Sequence, residues 1–172
     1  MQVVIGVSGG IAAYKTPELV RLLKQNGFEV RVVLTKAAES FVTRNTLSAF
    51  APTFLYSDTG GTDNMLHITL ARWAEYVFIA PASANFIARL THGFADDLLT
   101  TLCVATTARV GIAPAMNCEM WGNAATQANI SVLQSRQIDV VGPAYGEQAC
   151  GEVGLGRMLE PQELCEFLKT KK

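Results

Sequence analysis

Three kinds of segment in this sequence carry residues that could do chemistry. The first is "VVIGVSGGIAAYKT" (Val3 to Thr16), where an apolar run passes into glycines and then into helix formers ending in Lys-Thr. A strand, a glycine turn and a helix start together suit a phosphate, because N–H groups and the positive end of the helix dipole face the anion. The second kind is a pair of loops, "PASANF" (Pro81 to Phe86) and "APAMNCEMW" (Ala113 to Trp121), each following an apolar run. Both join small side chains to one amide, Asn85 or Asn117. Small side chains let a flat ring approach the backbone, and an amide both donates and accepts hydrogen bonds. The third is "GEQACGEVGLGRM", in which Cys150 stands among Gly146, Gly151, Gly154 and Gly156. So many glycines are too loose for a helix or strand and suit a flap.

The phosphate pattern is neither of the two common nucleotide fingerprints. Read from Gly9, a P-loop fits until Tyr14 stands where its second glycine is required, and no apolar strand ends in an Asp suited to Mg²⁺. A dinucleotide G-x-G-x-x-G fails on the spacing of Gly6, Gly9 and Gly10, and Thr35-Lys36 replaces the acidic residue expected after the second strand. What survives is a single phosphate at a helix N-terminus, with Ser8 and Thr35 as hydroxyl donors. The same residues equally suit an ordinary tight strand-to-helix turn, and each amide loop alone suits an ordinary capped turn.

The elements that would position these residues follow from the apolar pattern. Strand-length apolar runs alternate with helical patterns, the sign of βαβ units and a parallel sheet. Strands are expected at "QVVIGVS", "EVRVVLT", "PTFLYSD", "EYVFIAP", "RVGIAPAM" and, as the last, "IDVVGP". Helices are expected over "IAAYKTPELVRLLKQNG" with Leu19, Leu22 and Leu23 inward, over "AAESFVTRNTLSAF", and over "MLHITLARW" with Leu66, Leu70 and Trp73 as its stripe. Four more cover "SANFIARLTHG", "DDLLTTLCVAT", "AATQANISVLQSRQ" and "PQELCEFLKTK", and "SDTGGTDN" reads as a turn. The fold class is therefore α/β, a single doubly wound domain over residues 1–172, Rossmann-like or flavodoxin-like, with a parallel sheet flanked by helices. In that architecture ligands sit at the carboxyl ends of the strands, which is where "SGG", "TK", "PASAN", "PAMN" and "GP" fall.

Composition narrows the class further. A chain of 172 residues fits one domain burying roughly 70% of its unfolded surface, and 49% hydrophobic with 17% charged residues is globular, not disordered. Net charge is −1, and no basic run exceeds the terminal Lys169 to Lys172, so nucleic acid is not an expected partner. No segment approaches the ~18 apolar residues of a membrane span, and the N-terminal run reads as a strand, not a signal peptide. Cys103, Cys118, Cys150 and Cys165 show no C-x-x-C spacing and no metal-like grouping with His67 and His92. The expectation is a reduced, cytoplasmic protein without metal or disulfides.

Taken together, the "PASANF" and P-x-M-N-x-x-M-W segments closely resemble the homo-oligomeric flavin-containing cysteine decarboxylases. The likeness runs from "GVSGGIAAYK" through "LHITLARWAE" to "ACGEVGLGRM", and so covers nearly the whole chain. It is strongest to the branch acting on phosphopantothenoylcysteine, as in the N-terminal half of bacterial bifunctional coenzyme A biosynthesis proteins. The synthetase half is absent from this sequence, which is thus either free-standing or an excised domain. One departure stands out: Phe86 replaces a usual threonine, and with it goes one hydroxyl contact to the cofactor.

The resemblance implies FMN as cofactor, with Ser8, Gly9, Gly10, Ile11, Ala12, Thr35 and Lys36 on one side of it. Ser83, Ala84, Asn85, Phe86 and Ala115 are implied on the other. It implies decarboxylation of phosphopantothenoylcysteine to phosphopantetheine, through oxidation of CH₂–SH to a thioaldehyde, loss of carbon dioxide to an enethiol, and re-reduction. His67 matches the family's base, and an imidazole with an ordinary pKa of ~6.5 takes a proton near neutrality. Cys150 matches the thiol that gives a proton to the enethiol, while His92, Cys103, Cys118 and Cys165 have no assigned role. Asn117, Arg72, Ala149 and Met120 are implied to bind substrate, Arg72 because a guanidinium suits a carboxylate. The resemblance further implies a homotrimer or a dodecamer of trimers, with FMN near a subunit interface and a synthetase as fused or separate partner. The alternatives are a non-catalytic FMN-binding regulatory subunit, an oxidative peptidyl-cysteine decarboxylase and a flavodoxin-like electron carrier. The presence of His67, Asn117 and Cys150 speaks against the first. The Cys150 flap speaks against the second, and the near-zero net charge does not support the third.

Overall fold

The computed structural model describes residues 1–58 and 65–172. Thr59 to Asn64, within the turn expected at "SDTGGTDN", lie outside the described residues. Six parallel strands form the main sheet: β1 (Gln2–Val7), β2 (Glu29–Leu34), β3 (Thr53–Leu55), β4 (Tyr76–Ala82), β5 (Arg109–Pro114) and β6 (Asp139–Val140). Their order is β3-β2-β1-β4-β5-β6, the doubly wound arrangement in which the winding direction reverses between β1 and β4. β1 pairs with both β2 and β4, so the crevice beyond its carboxyl end lies at that reversal.

Period-two burial explains why β1 is central. Val3, Ile5 and Val7 enter one core layer, and Val4 enters the other. β4 is buried at all seven positions, as an apolar strand covered on both faces must be. Over one face, α1 (Thr16–Gln25) and α8 (Pro161–Lys169) contribute Leu19, Leu23, Leu164 and Leu168. Over the other lie α3 (Leu66–Trp73), α4 (Ala84–Thr91), α5 (Leu98–Ala105) and α7 (Ala124–Ser135), contributing Leu70, Ile87, Leu99 and Leu133. α5 begins with a reciprocal cap: Asp97 accepts from the Thr100 N–H at 2.8 Å and also pairs with Arg89 at 2.9 Å. Asp97→Ala should remove about 1–2 kcal/mol, lowering Tm by about 2–4 °C per kcal/mol in a thermal melt.

Four sequence expectations are corrected by the structure. The helix expected from Ile11 begins as a 3₁₀ turn, Ile11–Lys15, before α1. Pro17 lies in the first turn of α1 and has no N–H to continue the ladder backward. The helix expected over residues 37–50 is two short pieces, a 3₁₀ turn Lys36–Ser40 and α2 (Arg44–Ser48). Each piece has its own cap, Thr35 accepting from the Ala38 N–H and Thr43 from the Thr46 N–H. A short helix absent from the expectation, α6 (Cys118–Gly122), follows β5 and is capped by Asn117.

The fourth correction bears on the site. β6 is not the last strand: β7 (Ala144–Glu147) and β8 (Val153–Arg157) form an antiparallel hairpin from the glycine-rich segment expected to be neither helix nor strand. Gly146 faces Gly154 across it. The glycines serve docking. A side chain at Gly156 would put its Cβ 2.2 Å from the Met116 carbonyl, and one at Gly154 would reach 2.7 Å from the Cys118 Cβ. Bare backbone there lets the hairpin lie directly on the loop leading into α6, where the Met116 N–H donates to the Gly156 carbonyl at 2.9 Å.

Candidate active site at the sheet reversal

A cavity of about 660 Å³ opens beyond the carboxyl ends of β1, β4 and β5, within the usual ligand-site range of roughly 300–1,000 Å³. Of the residues expected at a cofactor, Gly9, Gly10, Ile11, Ala12, Ser83, Ala84 and Ala115 line it. So do the expected acid Cys150 and three of the four expected substrate residues, Asn117, Met120 and Ala149. The glycine loop and the hairpin tip, some 140 residues apart in sequence, thus face each other across one space.

Several expected residues do other work. Ser8 is buried, and its hydroxyl donates to the Pro81 carbonyl at 2.8 Å while accepting from the Ser83 N–H at 2.8 Å. It ties the β1 loop to the β4 loop, and its one proton is not free for a ligand. Thr35 is buried as the cap already described. Phe86 is 1% exposed and belongs to the core beneath α4, so its ring replaces a hydroxyl with packing. Lys36 and Asn85 are exposed and do not line the cavity. Neither do His67, half-buried on α3, and Arg72, exposed near the end of that helix. The five-residue spacing puts these two about 140° apart around a 3.6-residue helix.

Lys15 and Thr16, the pair that mimics a P-loop ending, are also engaged. Thr16 Oγ1 donates to the Ala80 carbonyl at 2.9 Å, and Lys15 Nζ pairs with Glu160 at 2.6 Å.

The cavity fits a flat anionic ligand on its own geometry. Gly10 has extended backbone, and a Cβ built on it meets nothing within 4 Å, so the space beside it is open to a ligand. Next to it the 3₁₀ turn begins with no side-chain cap, leaving its first N–H groups without intrahelical partners. Gly9 lets this loop pack close, since a Cβ there would lie 2.5 Å from that of Ala37. Filling the open space beside Gly10 should empty the site without unfolding the protein. Gly10→Val is expected to weaken flavin binding on the order of a hundredfold, about 2.7 kcal/mol, with an unchanged Tm for the flavin-free protein, measured by flavin fluorescence titration.

At the opposite wall, Asn117 and Cys150 meet. Asn117 Oδ1 accepts from the Glu119 N–H at 2.8 Å, which turns Nδ2 toward the hairpin, where it donates to Cys150 Sγ at 3.5 Å. Gln148 and Glu152, two residues to either side of Cys150, were missed by sequence reasoning. Gln148 Oε1 accepts from the Cys118 N–H at 3.0 Å, and the Glu152 carboxylate accepts from Asn117 Nδ2. Their symmetric spacing about the cysteine was legible, but its meaning required the hairpin. Partial burial, and then the Glu152 carboxylate, push the Cys118 thiol above its ordinary value. Burial, followed by the charge of Asp97, pushes Cys103 up to about 12, so that thiol is inert. Among the described residues no cluster of His, Cys, Asp or Glu is placed to hold a metal, and no helix is long and apolar enough to cross a membrane.

The profile of the flavoprotein family matches residues 1–172, the whole chain. This chain belongs to the flavoprotein family. Among its relatives, the coenzyme A biosynthesis bifunctional protein CoaBC of Haemophilus influenzae is 53% identical over 165 residues, 94% of this chain and 41% of that protein. The chain spans about two-fifths of the length of the curated relatives it matches. A solved cysteine-to-serine variant of PPC decarboxylase, complexed with pantothenoylaminoethenethiol, superposes with a TM-score of 0.93 at 32% identity, covering 99% of this chain and 97% of that one. The FMN binding protein AtHal3 superposes with a TM-score of 0.89 at 32% identity, covering 99% and 95%. The family is one of flavoproteins, so a flavin is the cofactor class of this chain.

Proposed function

We propose that this chain decarboxylates phosphopantothenoylcysteine to phosphopantetheine, with FMN in the cavity at the sheet reversal. The observation that carries the reading is the meeting of Cys150 and Asn117 on the cavity wall opposite the glycine loop. When bound, the flavin supplies a two-electron acceptor and donor that no side chain can replace. The chain's own residues bind, orient and move protons. The Ile11 and Ala12 end of the 3₁₀ turn receives the cofactor phosphate, and Gly10, Ala84 and Ala115 leave room for its ring.

Asn117, anchored through Oδ1, keeps one Nδ2 hydrogen on the hairpin and turns the other to an oxygen of the substrate's carboxylate or acyl amide. Oxidation of the substrate's CH₂–SH removes two electrons and two protons and leaves a thioaldehyde. The thiocarbonyl takes up the electron pair when the carboxylate leaves, giving an enethiol. Two electrons then return with two protons, one of them from Cys150 Sγ–H to carbon. The net reaction is redox-neutral. Support comes from the relative whose cysteine is replaced by serine and which is complexed with an enethiol.

His67 is the base in this reading, and it lies away from its own chain's cavity. A homo-oligomer resolves this: α3 of one copy reaches the cavity of a neighbour, bringing His67, with Arg72 as the substrate-carboxylate partner. Oligomers built from trimers, a synthetase fused to or working with the chain, and a cytoplasmic setting belong to the same proposal.

The test is incubation of the flavin-loaded protein with phosphopantothenoylcysteine, following product mass and flavin spectrum together. Expected is a product lighter by one carbon dioxide with the flavin returned to its oxidised spectrum. Unchanged substrate would overturn the activity. A product lighter by carbon dioxide and two further hydrogens would overturn the redox-neutral outcome.

A further inference from the structure

Glu152 meets every group gathered beneath the hairpin tip. Its Oε2 accepts from Asn117 Nδ2 and lies 3.5 Å from Cys118 Sγ and 3.8 Å from Cys150 Sγ. An ionised carboxylate only accepts hydrogen bonds, and all three neighbours here are donors. Asn117 is held from both ends, Oδ1 by the Glu119 N–H and Nδ2 by the hairpin, so the amide cannot flip without losing both. The other arm of the turn is fastened as well. The Gln148 N–H donates to the Glu152 carbonyl at 2.8 Å, and Gln148 Oε1 takes the Cys118 N–H. Five residues, Gln148 to Glu152, are thus clamped onto the first turn of α6 with Cys150 at their centre. Glu152 supplies the charge-assisted bond of the clamp, the stronger kind.

We infer that Glu152 is a positioning residue for the reductive half of the reaction. It fixes the Asn117 amide toward the hairpin and holds the turn down on α6, so that Cys150 Sγ stands at the cavity when its proton is needed. This rests on the role proposed for Cys150 above. Glu152 acts through Asn117 and Cys150, and transfers no proton to substrate itself.

The experiment measures carbon dioxide, complete product and oxidised product from flavin-loaded Glu152→Ala, Glu152→Lys, Glu152→Gln and Cys150→Ser, with phosphopantothenoylcysteine as substrate. In air, where dioxygen reoxidises the flavin that each oxidised product leaves reduced, Glu152→Ala should raise the oxidised share of product at least about tenfold, with carbon dioxide release falling less than complete product does. Glu152→Lys, which turns the acceptor into a donor, should move the ratio in the same direction and serves if the alanine variant does not fold. Glu152→Gln keeps an acceptor for Asn117 and should restore most of the normal ratio. An unchanged ratio with both yields falling together would overturn the inference, since a merely structural role does that. A lower KM with an unchanged ratio would also overturn it, because Glu152 would then only compete with the substrate carboxylate for Asn117. If Cys150→Ser accumulates oxidised product and the Glu152 variants do not, the inference alone fails. If Cys150→Ser makes none, the role of Cys150 itself fails.

Discussion

Cys150→Ser should release carbon dioxide and then stall, yielding the oxidised enethiol in place of phosphopantetheine. A serine hydroxyl has the size to sit where the thiol sits, beside Asn117 Nδ2, so binding and the oxidative half should survive. What is lost is acidity. A thiol surrenders a proton far more readily than an alcohol. Complete product should fall by roughly 10²–10⁴, the usual contribution of a positioned acid, while carbon dioxide is still evolved. Mass spectrometry of the products, with carbon dioxide quantified in parallel, checks both halves at once. Normal phosphopantetheine from this variant would remove Cys150 from the mechanism.

His67→Asn should keep flavin and lose turnover by roughly 10²–10⁴, because asparagine preserves a polar amide but cannot take a proton near neutrality. Flavin retention is expected since the glycine loop and the strand-end residues Ser83, Ala84 and Ala115 that line the cavity are unaltered. The location of His67 on α3 adds a sharper consequence. If each cavity borrows α3 from a neighbour, mixing His67→Asn with Cys150→Ser subunits before reassembly should regenerate some cavities with both groups intact. Recovered complete product in the mixture, absent from either variant alone, checks the arrangement. Retained activity in His67→Asn would reassign the base.

The parts of the site that sequence reasoning found are those fixed by strand ends. Once β1, β4 and β5 were read from their apolar runs, Gly10, Ser83, Ala84 and Ala115 had to emerge at one edge of the sheet. What it missed depends on partners distant in sequence. The hairpin was unreadable because Gly146 and Gly154 carry no side-chain alternation, and their pairing is backbone alone. Ser8 reads as a ligand hydroxyl because nothing local reveals that the Pro81 carbonyl accepts its hydrogen bond. The long helix expected after β2 was split by two threonine caps, Thr35 and Thr43, whose competition with helix continuation is visible only when both are satisfied. His67 illustrates a different limit, since a single chain places it on a helix and not at its own cavity.

The hairpin that carries Cys150 buries little: Tyr145, Val153 and Leu155 are all largely exposed, and glycines contribute no side chain. With so little apolar surface to lose, its detachment costs a small fraction of what unfolding the sheet requires. Backbone amides of residues 144–157 should therefore exchange with deuterium long before those of β1 and β4. Substrate entry and product escape can use that inexpensive opening while the six-stranded scaffold stays shut.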